Sequence, residues 1–327
     1  MGEFELLALL RERLPTAGPR LVLGSGDDAA ITVPGGAVAT SVDALVEGVH
    51  FRRDTASLRQ IGRKALAAAL SDLAAMGAAP GEAYVAVGMP PDLGEAGCLE
   101  LFDGVVAMAT ETGTTLAGGD VTRAPALTLA VTVVGHAPSA ERLITRSGAQ
   151  AGDALLLTGE IGGAAAGLLL LERPELTEAV PAETAERLRL RQLDPTPRLA
   201  AGQALAAAGA RAMIDLSDGL GGDAAHIAAA SGVGIHIDAG TLPLAPGVAE
   251  VAAAAGRDPL ELAAAGGEDY ELLAALAPER LAARIARVGE GGEGMPTQIG
   301  EVTGDTGVEI RLPGGGILEP AGFDQLG

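Results

Sequence analysis

The sequence predicts a mixed α/β protein of two domains. At 327 residues, the chain exceeds the length at which a single hydrophobic core is usual. Short apolar runs of β character alternate with segments of helical periodicity, which is typical of α+β and α/β domains. The polar, turn-rich stretch 138–152 interrupts this alternation. We therefore predict a first domain over residues 1–138 and a second over 150–327.

The first domain is predicted to begin with a helix over 4–13. Short β-like runs follow in LVLGSG, AAITV and AVATSVDALVEGVHF. The segment 57–77 has a strong helical period, and Gly77 is well placed to end that helix. After it we predict a strand in EAYVAVGMP, a helix over 94–112, and strands in TTLAGGD and ALTLAVTVVGHA.

The second domain repeats the alternation with different lengths. Helices are predicted over 162–172, within 182–208, over 219–231 and over 278–287. Strands are predicted in DALLLTG, RAMIDLS, GVGIHID and DYELLAAL, and near 297–303 and 308–312. The tail PGGGILEPAGFDQLG is predicted to be a loop.

Composition excludes several classes of partner. The net charge is −21, from 43 acidic and 22 basic side chains, which argues against nucleic acid and anionic membrane surfaces. No apolar span of membrane length and no signal-peptide pattern occurs, so we expect a cytoplasmic protein. Cys98 is the only cysteine, and its place in an amphipathic helix predicts a structural role.

The usual phosphate-binding motifs are missing. A P-loop ends in Lys-Ser/Thr, whereas the only lysine, Lys64, precedes Ala65. The protein-kinase signature and a G-x-S-x-G nucleophile turn are also absent. The segment GEIGGAAAG (159–167) follows a strand but lacks the G-x-G start of a dinucleotide loop. Nucleotide chemistry would therefore need another set of residues.

Aspartates in unusual settings supply such a set. Taken alone, each is best interpreted as a turn or capping residue. Asp72 is the exception, because it lies inside the apolar helix ALAAALSDLAAMGA, where an unpaired carboxylate is costly. The aspartates that stand out are Asp27, Asp28, Asp43, Asp72, Asp120, Asp215 and Asp218.

Magnesium accounts for these acids together. Mg²⁺ is a hard ion that takes oxygen ligands and bridges carboxylates to phosphates. Several Mg²⁺ ions would offset both the carboxylate repulsion and the charge of a triphosphate. Glycines beside the aspartates let backbone N–H groups approach phosphate oxygens. We therefore predict that several of these aspartates converge on two or more Mg²⁺ ions that hold ATP.

Seven segments, in order along nearly the whole chain, resemble the thiamine-monophosphate kinase family. They are GDDAA (26–30), SVDALVEGVHF (41–51), SDLAAMGA (71–78), AGGDVTR (117–123), TRSGAQ (145–150), IDLSDGL (214–220) and GGEDYEL (266–272). The resemblance implies a two-domain aminoimidazole-ribonucleotide synthetase-like fold, with the N-terminal sheet pairing across a homodimer. It also implies direct transfer of the γ-phosphate of ATP to thiamine monophosphate, without a phospho-enzyme.

The resemblance assigns roles by position. The implied metal ligands are Asp28, Ser41, Asp43, Asp72, Asp120, Asp215 and Asp218, and of these Asp43, Asp72, Asp120 and Asp218 are placed at the catalytic centre. The implied ATP contacts are Gly119, Asp120, Arg146 and Ser217, and the implied substrate contacts are His50, Glu268 and Phe323. Val42 stands where the family often has Thr, so only its backbone carbonyl could bind. Asp27, Asp223 and Asp269 are interpreted as turn or capping residues.

Two alternatives stay open at this point. One is another ATP-using enzyme of the same fold group, such as a purine-pathway synthetase. A selenophosphate-forming enzyme would need a reactive Cys or Sec and a Lys in an N-terminal Gly-rich loop, and neither is present. A hydrogenase-maturation protein would carry a C-terminal Cys, which is also absent. The other alternative is a non-catalytic divalent-metal-binding protein, which explains the aspartates but not the glycines beside them.

Overall fold

The computed structural model describes residues 9–10, 12–13, 18–24, 29–278, 295–319 and 322. The chain divides into two compact units. Unit 1 comprises Met1–Leu73 and Ala78–Arg142, and unit 2 comprises Ala74–Gly77 and Leu143–Gly327. The predicted helices over 4–13 and 278–287 lie largely outside the described residues. Metal and ATP binding and dimerisation are predicted for the first domain, 1–138, and these roles stay predictions, as do the boundaries of the two domains.

Unit 1 is built on a four-stranded mixed sheet in the order β3-β6-β4-β5. Only the β4–β5 pair is parallel. A short β1–β2 pair precedes the sheet. Its elements are β1 (Leu21–Leu23), β2 (Ile31–Thr32), β3 (Ala37–Val46), α1 (Leu58–Ala75), β4 (Ala79–Met89), α2 (Gly94–Thr112), β5 (Thr115–Arg123) and β6 (Thr128–Ala137).

The two faces of this sheet differ in exposure. On one face, alternate residues such as Val85 and Val131 are buried, at 2% and 0% exposure, and α1 and α2 lie on this side. On the other face, Val38 and Val42 are 43% and 65% exposed. Strand period 2 explains the alternation, and it leaves one apolar face of unit 1 uncovered in the described chain.

Glycines set the close packing of α1 against α2. A Cβ at Gly62 would lie 2.0 Å from the carbonyl oxygen of Leu101, and one at Gly104 would lie 2.0 Å from that of Arg59. Only glycine therefore permits this approach of the two backbones. Gly77, with φ of 65°, ends α1 as predicted, because the N–H of Ala78 returns to the carbonyl of Leu73.

Unit 2 contains a seven-stranded sheet in the order β13-β12-β9-β11-β7-β10-β8. Its pairs are antiparallel except β12 with β9. The strands are β7 (Ala154–Leu157), β8 (Ala212–Asp215), β9 (Gly234–Asp238), β10 (Leu272–Leu276), β11 (Thr297–Thr303), β12 (Gly307–Arg311) and β13 (Ile317–Leu318). The helices are α3 (Gly163–Glu172), α4 (Ala182–Leu193), α5 (Leu199–Ala208), α6 (Leu220–Ser231), α7 (Val248–Ala255) and α8 (Pro259–Ala265).

The structure differs from the sequence prediction in two places in unit 2. The prediction of a loop-like tail is wrong for Ile317–Leu318, which form β13 against β12. Helices α7 and α8 occupy a stretch for which the pattern predicts no element. For α8 a signal exists in Asp258-Pro259, since the Asp258 carboxylate accepts the N–H groups of Leu260 and Glu261 at 2.9 and 3.0 Å.

Cys98 has the structural role predicted for it. It lies in α2 at 0% exposure, in a cluster with Leu10 and Phe102. Burial raises the pKa of its thiol to about 11. No helix in the described ranges is both long enough and apolar enough to cross a membrane.

The α1–α2 contact predicts a strong effect of one methyl group. Gly62→Ala should lower the free energy of unfolding by about 2 kcal/mol or more, because the new Cβ meets backbone that cannot yield. Urea denaturation of the purified protein measures this. Gly97→Ala in α2 is the control, since its nearest atoms are leucine side chains at 3.1 Å. Equal stability of the two variants would contradict the interpretation.

Candidate functional site

In unit 1, Ser41 and Asp43 lie on the helix-covered face of β3, and Ser41 contacts Asp72 of α1. The Ser41 hydroxyl donates a hydrogen bond to Oδ2 of Asp72. Oδ1 of Asp43 accepts the N–H of Ala44 at 2.8 Å. Asp72 is half-buried beside fully buried Leu73, so the apolar helix directs its carboxylate to the polar edge of β3. The structure therefore joins two of the residues predicted to bind metal, Ser41 and Asp72, and places Asp43 on the same face of β3 as Ser41.

Asp120 lies on the other face of the same sheet. In the β4–β5 register it pairs with exposed Ala86, whereas its neighbour Val121 packs on the α2 side. Gly119 is needed at the preceding position, because a Cβ there would lie 2.1 Å from the carbonyl oxygen of Val85. The β4–β5 register shifts just before Gly118 and Gly119. Sequence alone does not reveal this shift.

His50 belongs to a turn that immediately follows β3. Its Nδ1 accepts the N–H of Val46 at 3.1 Å, and Gly48 adopts φ of 84° within the turn. The carbonyl of His50 accepts a hydrogen bond from Nζ of Lys64 at 3.5 Å. Lys64 is only 3% exposed, so the single lysine of the chain lies under this turn. The only signal of its burial was the apolar run ALAAAL that follows it in α1.

In unit 2, Asp215, Ser217 and Asp218 lie where β8 ends and α6 begins. The carboxylate of Asp223 accepts the N–H groups of Asp218 and Gly219, both at 3.1 Å. This confirms the capping role predicted for Asp223. Burial, followed by the nearby charges of Asp215 and Asp218, raises the pKa of Asp223 to about 7. The carboxylates of Asp215, Asp218 and Asp223 thus interact electrostatically at this turn.

The segment 266–271 lies alongside this turn. The N–H of Glu268 donates to the carbonyl of Ser217 at 2.9 Å, and the N–H of Tyr270 donates to that of Leu216 at 2.9 Å. Glu268 and Tyr270 adopt left-handed φ values of 66° and 50°. Such conformations are unfavourable for non-glycine residues and persist only where surrounding contacts fix them. The predicted nucleotide contact Ser217 and the predicted substrate contact Glu268 are therefore neighbours.

Asp269 is one of the contacts that fix this segment. Its carboxylate accepts the N–H groups of Gly162 and Ala164 at 2.6 and 3.0 Å, at the start of α3. The capping role predicted for Asp269 is thereby confirmed. Burial raises the pKa of Asp269 to about 7, even though both hydrogen bonds act in the opposite direction.

Glu271 is the second contact, and sequence reasoning missed it. Its side chain has 0% exposure. It accepts hydrogen bonds from Arg198 at 2.6 and 2.8 Å, from Arg191 at 3.2 Å and from the hydroxyl of Thr158 at 2.7 Å. The partners lie far from it in sequence, so no local motif identifies them. The only available signal was an acidic residue at the start of an apolar strand.

Arg146 has a fixed backbone and an exposed side chain. Its carbonyl accepts a hydrogen bond from the Ser231 hydroxyl at 3.2 Å. The same hydroxyl oxygen accepts the N–H groups of Gly148 and Ala149 at 3.1 and 3.2 Å. The end of α6 therefore holds the backbone that carries the Arg146 guanidinium.

The donor set is one of oxygen atoms, which suits Mg²⁺. Within the described part of the chain, no three His, Cys, Asp or Glu side chains are grouped closely enough to hold a metal. Mg²⁺ commonly uses one or two carboxylates and completes its shell with water and phosphate oxygens. Asp28 and Phe323 lie outside the described residues. The convergence of the predicted aspartate ligands stays a prediction.

Family comparisons identify the class of protein. The model described as AIR synthase related protein, N-terminal domain, matches residues 26–137. The corresponding C-terminal domain model matches residues 150–313. Together they cover most of the chain and define an AIR synthase-related protein, which confirms the predicted two-domain fold class.

Individual relatives narrow the assignment. A thiamine-monophosphate kinase of Mycobacterium tuberculosis (strain ATCC 25618 / H37Rv) is 39% identical over 277 residues, 84% of this chain and 80% of the relative. The crystal structure of thiamine-monophosphate kinase from Stenotrophomonas maltophilia K279a has a TM-score of 0.83 at 37% identity, covering 95% of this chain and 96% of that one. The structure of AaThiL complexed with AMPPCP and TMP has a TM-score of 0.77 at 30% identity, covering 98% and 96%.

The chain belongs to the thiamine-monophosphate kinase family. It is accordingly an enzyme of the kinase class, as predicted, rather than a non-catalytic metal-binding protein.

The raised pKa of Asp269 predicts a pH-dependent contribution to stability. As the pH rises above about 4, the Asp269 carboxyl loses its proton in the unfolded chain but keeps it in the folded chain. The stability that the protonated carboxyl contributes therefore declines with rising pH and is lost once the pH passes through the folded pKa near 7. The unfolding free energy of the wild type, relative to Asp269→Asn, should fall by on the order of 3 kcal/mol across this window.

Urea denaturation at a series of pH values measures this difference. The exposed turn residue Asp238, whose carboxylate accepts the N–H of Gly240 at 2.9 Å, provides the control variant Asp238→Asn. A pH profile of Asp269→Asn parallel to that of the wild type would refute the assignment.

Proposed function

We propose that this enzyme transfers the γ-phosphate of ATP directly to the phosphate of thiamine monophosphate, giving thiamine diphosphate. The observation that carries the proposal is the adjacency of Ser217, Asp218 and Glu268 in unit 2. The turn after β8 presents the predicted nucleotide and metal contacts Ser217 and Asp218, and the segment 266–271 presents the predicted substrate contact Glu268. The relative AaThiL binds AMPPCP and TMP, which supports the same pair of substrates here.

The chain offers carboxylates suited to magnesium in both units. In unit 1 these are Asp43 and Asp72, with Ser41 bound to Asp72, and in unit 2 they are Asp215 and Asp218. Mg²⁺, when bound, would neutralise polyphosphate charge and align the reacting groups. Burial raises the pKa of Asp223, and the nearby carboxylates of Asp215 and Asp218 raise it further; this crowding of acids supports a cation requirement at the turn.

The remaining roles concern binding and orientation. The guanidinium of Arg146 can donate two parallel hydrogen bonds to a phosphate group. Gly119 lets β5 pair closely with β4, and its backbone is the group that would contact the nucleotide. Glu268 provides a negative charge for a cationic thiazolium ring, and His50 a polar contact at the end of β3. Catalysis would then be mainly positioning and charge stabilisation, with no covalent intermediate on the protein.

One assay tests the proposal directly. Purified protein with ATP, Mg²⁺ and thiamine monophosphate should form thiamine diphosphate, with free thiamine and an aminoimidazole ribonucleotide precursor as control substrates. Turnover of the aminoimidazole precursor alone would support the purine-pathway alternative. No turnover of any of them would overturn the proposal. We expect this reaction to take place in the cytoplasm, where ATP is supplied.

Asp72 should matter for turnover more than for folding. Asp72→Asn should lower kcat at least about 100-fold at saturating Mg²⁺, because an amide is a poor ligand for a hard cation. The thermal unfolding midpoint should change little, since the amide oxygen still accepts the Ser41 hydrogen bond. Asp103→Asn, which removes a surface ion pair with Arg13, is the control. An unchanged kcat in Asp72→Asn would exclude its ligand role.

We further propose that the protein is a homodimer formed through the uncovered face of the unit 1 sheet. Val38 and Val42 expose apolar surface there, flanked by the small residues Thr40 and Ala44 on the same face. A flat, apolar strand surface of this kind is unusual unless another surface covers it. Its position on β3 supports pairing of two such sheets.

A charge on this face should dissociate the dimer. Val42→Lys should shift the mass measured by size-exclusion chromatography with light scattering from two chains to one, because the ammonium group would be buried without a partner. Leu168→Lys, at a 41% exposed position of α3 in unit 2, is the matched control. A dimer that persists in Val42→Lys would place the interface elsewhere.

A further inference from the structure

Gln192 is a buried polar residue in the last turn of α4. Its side chain is 6% exposed, and its Nε2 donates a hydrogen bond to Oε2 of Glu268. A glutamine amide is retained in such surroundings only where it finds hydrogen-bond partners. Here the partner is the carboxylate that the proposed function assigns to substrate binding.

Both the backbone and the side-chain carboxylate of Glu268 are fixed in this arrangement. Its backbone is fixed by the left-handed φ of 66° and by the N–H bond to the Ser217 carbonyl. A glutamate side chain has several rotatable bonds, and ordering them opposes binding unless they are ordered beforehand. The hydrogen bond from Gln192 orders the carboxylate before any ligand arrives.

The position of Gln192 is itself well defined. Ala185 and Leu188 of α4 are buried, at 0% and 2% exposure. The adjacent Arg191 pairs with Glu271 and with Glu160, both at 3.2 Å. Since Glu271 belongs to the same segment as Glu268, this ion pair ties the end of α4 to the segment that Gln192 contacts.

The chemistry of the donor also matters. An amide is neutral, so it orients Glu268 without cancelling its negative charge, as a lysine or arginine would. An ordered anion of this kind is suited to a cationic heterocycle. We propose that Gln192 is a positioning residue that determines affinity for the cationic ring of the substrate by holding Glu268, an inference that rests on the proposed function.

Steady-state kinetics of Gln192→Leu tests this role. The KM for thiamine monophosphate should rise about tenfold, since a hydrogen bond to a charged group is lost. The kcat and the KM for ATP should stay within about twofold, because Gln192 acts on one substrate contact alone. Gln192→Met, with an unbranched side chain of similar volume, provides a second variant should Gln192→Leu fail to fold. Gln203→Leu, at an exposed position of α5, is the control.

A double-mutant cycle separates positioning from general support of the fold. In a Glu268→Gln background, Gln192→Leu should change the KM for thiamine monophosphate by less than about twofold, because the group it acts through is already altered. Additive effects, an unchanged KM in the single variants, or a parallel loss of kcat and of ATP affinity would each overturn the inference. Wild-type protein inactive towards thiamine monophosphate would instead overturn the proposed function, and the inference with it.

Discussion

The fully buried carboxylate of Glu271 imposes the constraint on which the site in unit 2 depends. A carboxylate removed from water stays ionised only if charged and polar donors surround it. Arg198, Arg191 and Thr158 meet this need. In doing so they connect β7, α4 and the start of α5 to the segment 266–271. The left-handed residues Glu268 and Tyr270 lie in the segment that these contacts hold in place.

The same constraint recurs at other acids, but with different donors. The chain has about half as many basic as acidic side chains, 22 against 43, so cations cannot serve every buried carboxylate. Asp223 and Asp269 are instead met by pairs of backbone N–H groups at the starts of helices. Asp72 is met by a serine hydroxyl. Backbone N–H groups thus supply hydrogen bonds to buried carboxylates that lysine and arginine side chains could otherwise supply.

Much of the fold could be predicted from local pattern. The helix predicted over 94–112 coincides with α2, and Gly77 ends α1 where its conformational freedom indicates. Capping by Asp223 was also readable, because a carboxylate near the start of a helix has a well-defined use. The helix start that Asp269 caps lies 105 to 107 residues away, so no local pattern identifies it. Helix α7 was not readable, since runs of alanine carry little periodic contrast, whereas α8 has a start signal in Asp258-Pro259.

The site itself could be predicted only in part. Motif resemblance identified Ser217 and Glu268, and the structure makes them neighbours. The face on which Asp120 lies depends on a register shift in β5, and a one-residue shift reverses the side of the sheet. Partners of Glu271 lie 73 to 113 residues away, and contacts of that range leave no mark on a local stretch of sequence.

The burial of Cys98 has a practical consequence for studying this enzyme. At neutral pH a thiol with a pKa of about 11 is almost entirely protonated, and maleimides or haloacetamides react with the thiolate. A cysteine introduced at the surface would therefore be labelled selectively without removing the native one. A fluorophore placed in this way beside Glu268 would report whether a ligand changes the surroundings of that residue, on a protein that keeps its native cysteine.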